Sequence, residues 1–214
     1  MGFGRGKGFS PPVAPPFPED YTGPFELKVA DSRWTKWLRY LGGDVSYLTA
    51  HDHPDATHIG SSHTRFCSQS KIAANYWDIA RKPLYFDTSS IPANAVIPSV
   101  ILYQFSDFVA GSEKDIHLVD APDLHDPPVV GDYGYLLDLT TSLGVLETAD
   151  MAPARRNTWF INQAGLNAIV KGGQTKWGMR TIDDINAAAP LITVEGIYLN
   201  ADPTVLIVTY YLPP

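Results

Sequence analysis

The sequence predicts an all-β protein: a β-sandwich with one or two short helices, preceded by an extended N-terminal arm. Three observations carry this. Short runs rich in Val, Ile, Tyr, Phe and Thr recur along the chain, bounded by Pro, Gly, Asn and Asp. Aromatic residues reach 12% while charged residues make up only 18%, a balance suited to large packed sheet faces. The first 24 residues carry glycine and proline without hydrophobic periodicity. The 214 residues suffice for one domain, since sandwiches run to roughly 200–250 residues as single units. The division expected is an arm over residues 1–24 and a sandwich domain over residues 25–214.

In the arm, Gly2, Gly4, Gly6 and Gly8 alternate with other residues and give way to Pro11, Pro12, Pro15, Pro16 and Pro18. A flexible stretch followed by an extended, polyproline-like one is expected. Phe3, Phe9 and Phe17 punctuate it, with Arg5 and Lys7 between. Aromatic side chains on an extended segment suit docking into pockets of a neighbour, so these five residues are the candidate partner-docking set. Met1–Ser10 has no apolar core and does not read as a secretory signal.

Beyond the arm, Trp34, Trp37, Leu38 and Tyr40 have spacing compatible with a short helix over Asp31–Tyr40, capped by Asp31 or Ser32. Strands are expected at Val45–Thr49, His63–Ser68, Lys82–Asp87, Val96–Phe105, Ile116–Val119, Asn157–Ile161, Lys176–Thr181, Thr193–Leu199 and Thr204–Tyr211. The last is apolar on both faces of its alternation, which predicts a central strand covered on both sides. Asn162 is placed to cap a helix over Gln163–Val170, ended by Gly172 and Gly173. A second helix is expected over Thr141–Thr148, weakened by Gly144.

Net charge is −7, which opposes nucleic-acid phosphates. No apolar run is long enough for a membrane-spanning helix. The single cysteine, Cys67, excludes an internal disulfide and reads as a small core residue beside Phe66.

Three ordered blocks carry a resemblance. The segment from Leu84 to Tyr103 has an aromatic–Asp strand end (Tyr85, Phe86, Asp87), then Ser90-Ile91-Pro92, a small turn and a long apolar strand. Trp177-Gly178-Met179-Arg180 with Asp183 and Asp184 forms the second block, and Pro203–Tyr210 the third. In this order they resemble a DNRLRE-type domain over roughly residues 84–211. The resemblance implies a jelly-roll sandwich of the kind found in cell-surface proteins, carbohydrate-binding modules and phage or virion structural proteins. Read from residues alone, Asp87–Ser90 stop a strand through side-chain-to-backbone bonds, and Pro92 fixes the turn that follows. Tyr85 and Phe86 point to opposite faces, so one is core and the other is free to face solvent.

Chemistry-bearing clusters are few. His51, His53, His58 and His63 fall within thirteen positions, next to Asp52 and Asp55, and are the candidate metal ligands. Pro54 interrupts that run and no H-E-x-x-H motif accompanies it, so a polar loop is the plainer reading. Acidic clusters at Asp115, Asp120, Asp123 and Asp126, and at Asp183 and Asp184, lack a calcium-loop pattern. There is no G-x-S-x-G elbow and no Cys–His signature. Gly4–Gly8 is no phosphate loop, because Lys7 is followed by Gly8. Exposed aromatics at Trp34, Trp37, Tyr133 and Tyr135 are the candidate ligand platform if the chain binds a glycan.

The expectation is therefore a non-enzymatic structural subunit without a cofactor, in a virion (capsid, decoration or tail) or at an extracellular surface. Its partners would be other protein subunits. The alternatives are a carbohydrate-binding module or a surface filament subunit.

Overall fold

The computed structural model describes residues 20–33, 36–61, 67–110, 115–147, 155–190, 195–199 and 203–214, with backbone alone at 106–110, 155 and 195–199. It is an all-β fold in which every paired strand is antiparallel. Its strands are β1 (Thr22–Ala30), β2 (Trp37–Gly42), β3 (His58–Gly60), β4 (Cys67–Ala73), β5 (Tyr76–Asp87), β6 (Val96–Ala110), β7 (Ile116–Asp120), β8 (Ser142–Leu146), β9 (Arg155–Ile161), β10 (Gln174–Thr181), β11 (Glu195–Leu199) and β12 (Val205–Leu212). Four short helices join them: α1 (Tyr47–His51), α2 (Asp132–Leu137), α3 (Gln163–Asn167) and α4 (Ile182–Ile185).

Neighbouring strands run β1-β12-β6-β11-β4-β5-β10-β7-β8-β9, and β9 returns to pair with β6. The path from β6 to β9 is thus a closed circuit, a sheet curled onto itself as a jelly-roll sandwich requires. The 15-residue β6 makes this possible. Its Leu102 and Tyr103 pair with Leu206 and Val205 of β12 on one edge and with Trp159 and Thr158 of β9 on the other. Further along, Ser106–Ala110 pair with β11.

Strand β5 is buried along nearly its whole length because it separates two cores. On one face Leu84 and Phe86 join Leu102, Leu118, Trp159, Trp177, Met179, Leu206 and Val208 in the main core. On the other, Trp77, Ile79 and Tyr85 join Leu38, Tyr40, Tyr47, Tyr133 and Leu136 in a second core. Tyr85 and Phe86 do point to opposite faces, yet both are fully buried, so the expectation that one is free to face solvent is corrected. The second core exists because α1, α2 and β2 cover that face.

Several local expectations change. Trp37–Gly42 is a strand, not part of a helix, because it pairs with β5 from Leu38↔Arg81 to Gly42↔Trp77. Val45–Thr49 is not a strand: Ser46 caps α1, its Oγ accepting from Thr49 N at 3.1 Å. Thr148 lies outside the described residues, and Thr141–Glu147 is not helical. It contributes β8, where a Cβ at Gly144 would lie 2.6 Å from the Phe160 carbonyl oxygen, so only glycine permits that strand approach. The Asn162 cap forms as expected, Oδ1 accepting from Gly165 N at 3.0 Å, but α3 ends at Asn167. In β12, Leu206 and Val208 are buried while Val205 and Ile207 are half-buried, so one face is closed and the other only partly covered. Strand β1 begins at Thr22, inside the span assigned to the arm.

Candidate functional site

Among the described residues three features stand out: buried charge nodes, a cleft, and the outer edge of β1. The larger node starts from charged residues set within apolar strands. Arg81 sits mid-β5 and Arg180 near the end of β10, and both are essentially unexposed. Thr181 caps α4, its Oγ1 accepting from Asp184 N at 3.1 Å, and this aims the Asp184 carboxylate at both guanidinium groups. Arg81 donates Nε to Oδ2 at 2.9 Å and Nη2 to Oδ1 at 2.7 Å. Arg180 donates Nε to Oδ2 at 2.6 Å. The remaining donors reach carbonyls: Arg81 to Tyr133 and His51, Arg180 to Leu137, Leu139 and Asp184. The Arg81 guanidinium also lies 4.0 Å from the centre of the Tyr133 ring.

Burial alone would push the Asp184 carboxyl up, but Arg81 and Arg180 outweigh it and hold it well below the usual carboxylate range. Burial pushes the Tyr47 and Tyr133 hydroxyls and the Cys67 thiol far up, which keeps all three neutral. The donors and acceptors here are turned on one another and on backbone carbonyls. The node therefore clamps α4, α2 and the C-terminal end of α1 onto the sheet.

A smaller node pins Asp31–Arg33 and Lys36 to β5. Lys82 Nζ donates to the carbonyls of Arg33 at 3.2 Å and Lys36 at 2.9 Å, and lies 3.2 Å from Asp31 Oδ2. Asp31 Oδ1 accepts from Tyr85 N and Arg33 N, each at 3.0 Å. Burial lowers the Lys82 ammonium and Asp31 partly offsets it.

The described candidate histidines, His51, His53 and His58, do not converge. His51 is buried, with Nδ1 at 2.5 Å from Asp52 Oδ1 and Nε2 at 2.7 Å from the Asp184 carbonyl oxygen. His53 bonds the Asp55 backbone and tilts against Tyr40, while His58 bonds Thr57 Oγ1. Among the described residues no three His, Cys, Asp or Glu side chains gather as a metal site. The fourth candidate, His63, lies outside the described residues.

The aromatic platform is dispersed too. Trp37 and Tyr133 are 7% and 0% exposed, so neither offers a ring face to a ligand. Tyr135 is half-buried, its hydroxyl accepting from Asp123 N at 3.2 Å. Trp34 lies outside the described residues, as do Phe3, Arg5, Lys7, Phe9 and Phe17 of the arm.

A cleft of about 550 Å³ opens beside β8 and α3. Asp120, Asp138, Thr140, Thr141 and Asn167 line it over Leu139, Leu143, Ala164 and Ala168. Burial raises the Asp120 carboxyl there.

The third feature is β1. Among the described residues it pairs with β12 alone, leaving its other edge open. The ladder runs in regular register from Phe25↔Tyr210 to Ala30↔Val205, and Asp31 N continues it by donating to Thr204 O at 2.8 Å. Backbone groups alternate sides along a strand. Those of Phe25, Leu27 and Val29 therefore turn toward β12, and those of Glu26, Lys28 and Ala30 turn outward. Leu27 and Val29 lay their side chains against the main core, and Phe25 stacks on Tyr210 at 5.4 Å. Glu26 and Lys28 are exposed.

Sequence reasoning missed both charge nodes. The signal was present: Arg81 and Lys82 between Ile79 and Leu84, and Arg180 after Trp177 and Met179, are charges inside strands and call for buried partners. No family model matches the chain, and no curated protein matches it.

Proposed function

We propose that this protein is a non-enzymatic structural subunit of an assembly, a virion capsid, decoration or tail component, whose N-terminal arm docks on a neighbouring subunit. The observation that carries the reading is the place of β1. Among the described residues, the strand that follows the arm lies at the margin of the sheet, with one edge unpaired and most of its residues exposed. A strand at the margin of the sheet suits a preceding segment that offers Phe3, Phe9 and Phe17 to a neighbour. The sandwich suits such a role because its buried charges are spent on clamping loops to the sheet. The resemblance of residues 84–211 to DNRLRE-type jelly rolls, some of which build virions, supports the same reading.

The test is removal of residues 1–19, which leaves β1 whole. Light scattering should show the full chain in large multi-subunit assemblies and the shortened chain unable to grow beyond a dimer, with an unchanged circular dichroism spectrum. Equal assembly by the shortened chain would overturn the arm's role.

A further inference from the structure

We infer that the open edge of β1 pairs with β1 of a second copy, antiparallel about a two-fold axis at Leu27. This rests on the reading of the chain as an assembly subunit and names the first contact of that assembly.

An open strand edge is a template for another strand. A two-fold pairing places each residue opposite one whose number makes a constant sum with its own. Only Glu26, Lys28 and Ala30 of the regular ladder turn their backbone groups outward, so hydrogen-bonded pairs must form between these even-numbered positions. An axis at Glu26 would set Glu26 against itself and Lys28 against Pro24, leaving no pair of opposite charge. An axis at Lys28 would set Lys28 against itself. An axis at Leu27 sets Glu26 opposite Lys28 of the second copy, and Lys28 opposite its Glu26. Both are hydrogen-bonded pairs of opposite charge, with two backbone bonds in each, about four in all.

The same axis brings Leu27 against Leu27, and Phe25 against Val29, on the core face. Leu27 and Val29 are only partly buried in one copy, and pairing extends that apolar layer across the axis. Lys28 alone would guard the edge against pairing. Glu26, two positions away, cancels that guard in this one register. The arrangement also runs Tyr21–Gly23 past Asp31–Arg33 of the second copy.

The test reads self-association by sedimentation velocity and register by cross-linking. Glu26→Lys and Lys28→Glu should each weaken dimerisation on the order of tenfold or more. The double swap Glu26→Lys/Lys28→Glu should restore it. An equimolar mixture of the two single variants should form heterodimers, because each then supplies the charge the other lacks. Leu27→Cys should form an intermolecular disulfide under mild oxidation, and Val29→Cys should not. The pairing should persist in the chain lacking residues 1–19. Assembly indifferent to both charge reversals, with no cross-link in the Leu27→Cys variant, would overturn the strand pairing while leaving the assembly reading intact. A wild-type chain that stays monomeric would overturn both.

Discussion

Arg81 and Asp184 form a two-pronged ion pair, at 2.7 and 2.9 Å, between residues 103 positions apart and almost wholly withdrawn from water. Arg180 adds a third charge-assisted bond at 2.6 Å. Breaking such a pair from one side leaves buried cations uncompensated. Asp184→Asn should cost about 3–5 kcal/mol of unfolding free energy, read by urea denaturation. A loss below about 1 kcal/mol would mean that the node does not clamp the loops it touches.

The same carboxylate sets an acid limit. Its folded value lies below its unfolded one, about 3.9 for an aspartate. The unfolded chain therefore binds more protons between those values. The contribution of Asp184 is present above about pH 4 and is lost as pH falls through the folded value. Stability measured from pH 5 downward should decline more steeply in the wild type than in Asp184→Asn. Parallel profiles would contradict the assignment.

Lys82 and Asp31 should behave as a unit. Lys82→Met leaves Asp31 buried without its cation and two carbonyls without their donor, at a cost of about 3 kcal/mol. Adding Asp31→Asn should cost less than the two single losses combined, because the charge left unpaired is gone. Strict additivity in denaturation experiments would show that the pair is not coupled.

Much of the sandwich was legible because its strands announce themselves by residue type and punctuation. Lys82–Asp87, Val96–Phe105 and Lys176–Thr181 lie inside β5, β6 and β10. The failures share a cause. Trp34, Trp37, Leu38 and Tyr40 fit helical spacing, yet Leu38 and Tyr40 are buried through pairing with β5, a partner nearly forty residues away. Ser142–Leu146 holds its strand through Gly144, whose missing Cβ admits Phe160. The histidine cluster looked dense in sequence, but α1 turns His51 inward while His53 and His58 bond their own loop. The charge nodes needed the topology, since Asp184 meets Arg81 only once β10 lies beside β5.

Gly134 shows how the fold reverses a local preference. Alanine within a helix normally gains about 1 kcal/mol over glycine. In α2, however, a Cβ at Gly134 would fall 2.4 Å from the Pro54 carbonyl oxygen, which already accepts from Gly134 N at 3.0 Å. Gly134→Ala should therefore destabilise by about 1–3 kcal/mol and lower the melting temperature. A stabilised variant would mean that the loop carrying Pro54 yields freely.

Self-association of the unmodified chain is the property on which the role of building block turns. Sedimentation velocity across a concentration series should show dimers and larger species, with the 23.5 kDa monomer populated only on dilution. A single 23.5 kDa species at every concentration would contradict the proposal that this sandwich is a building block.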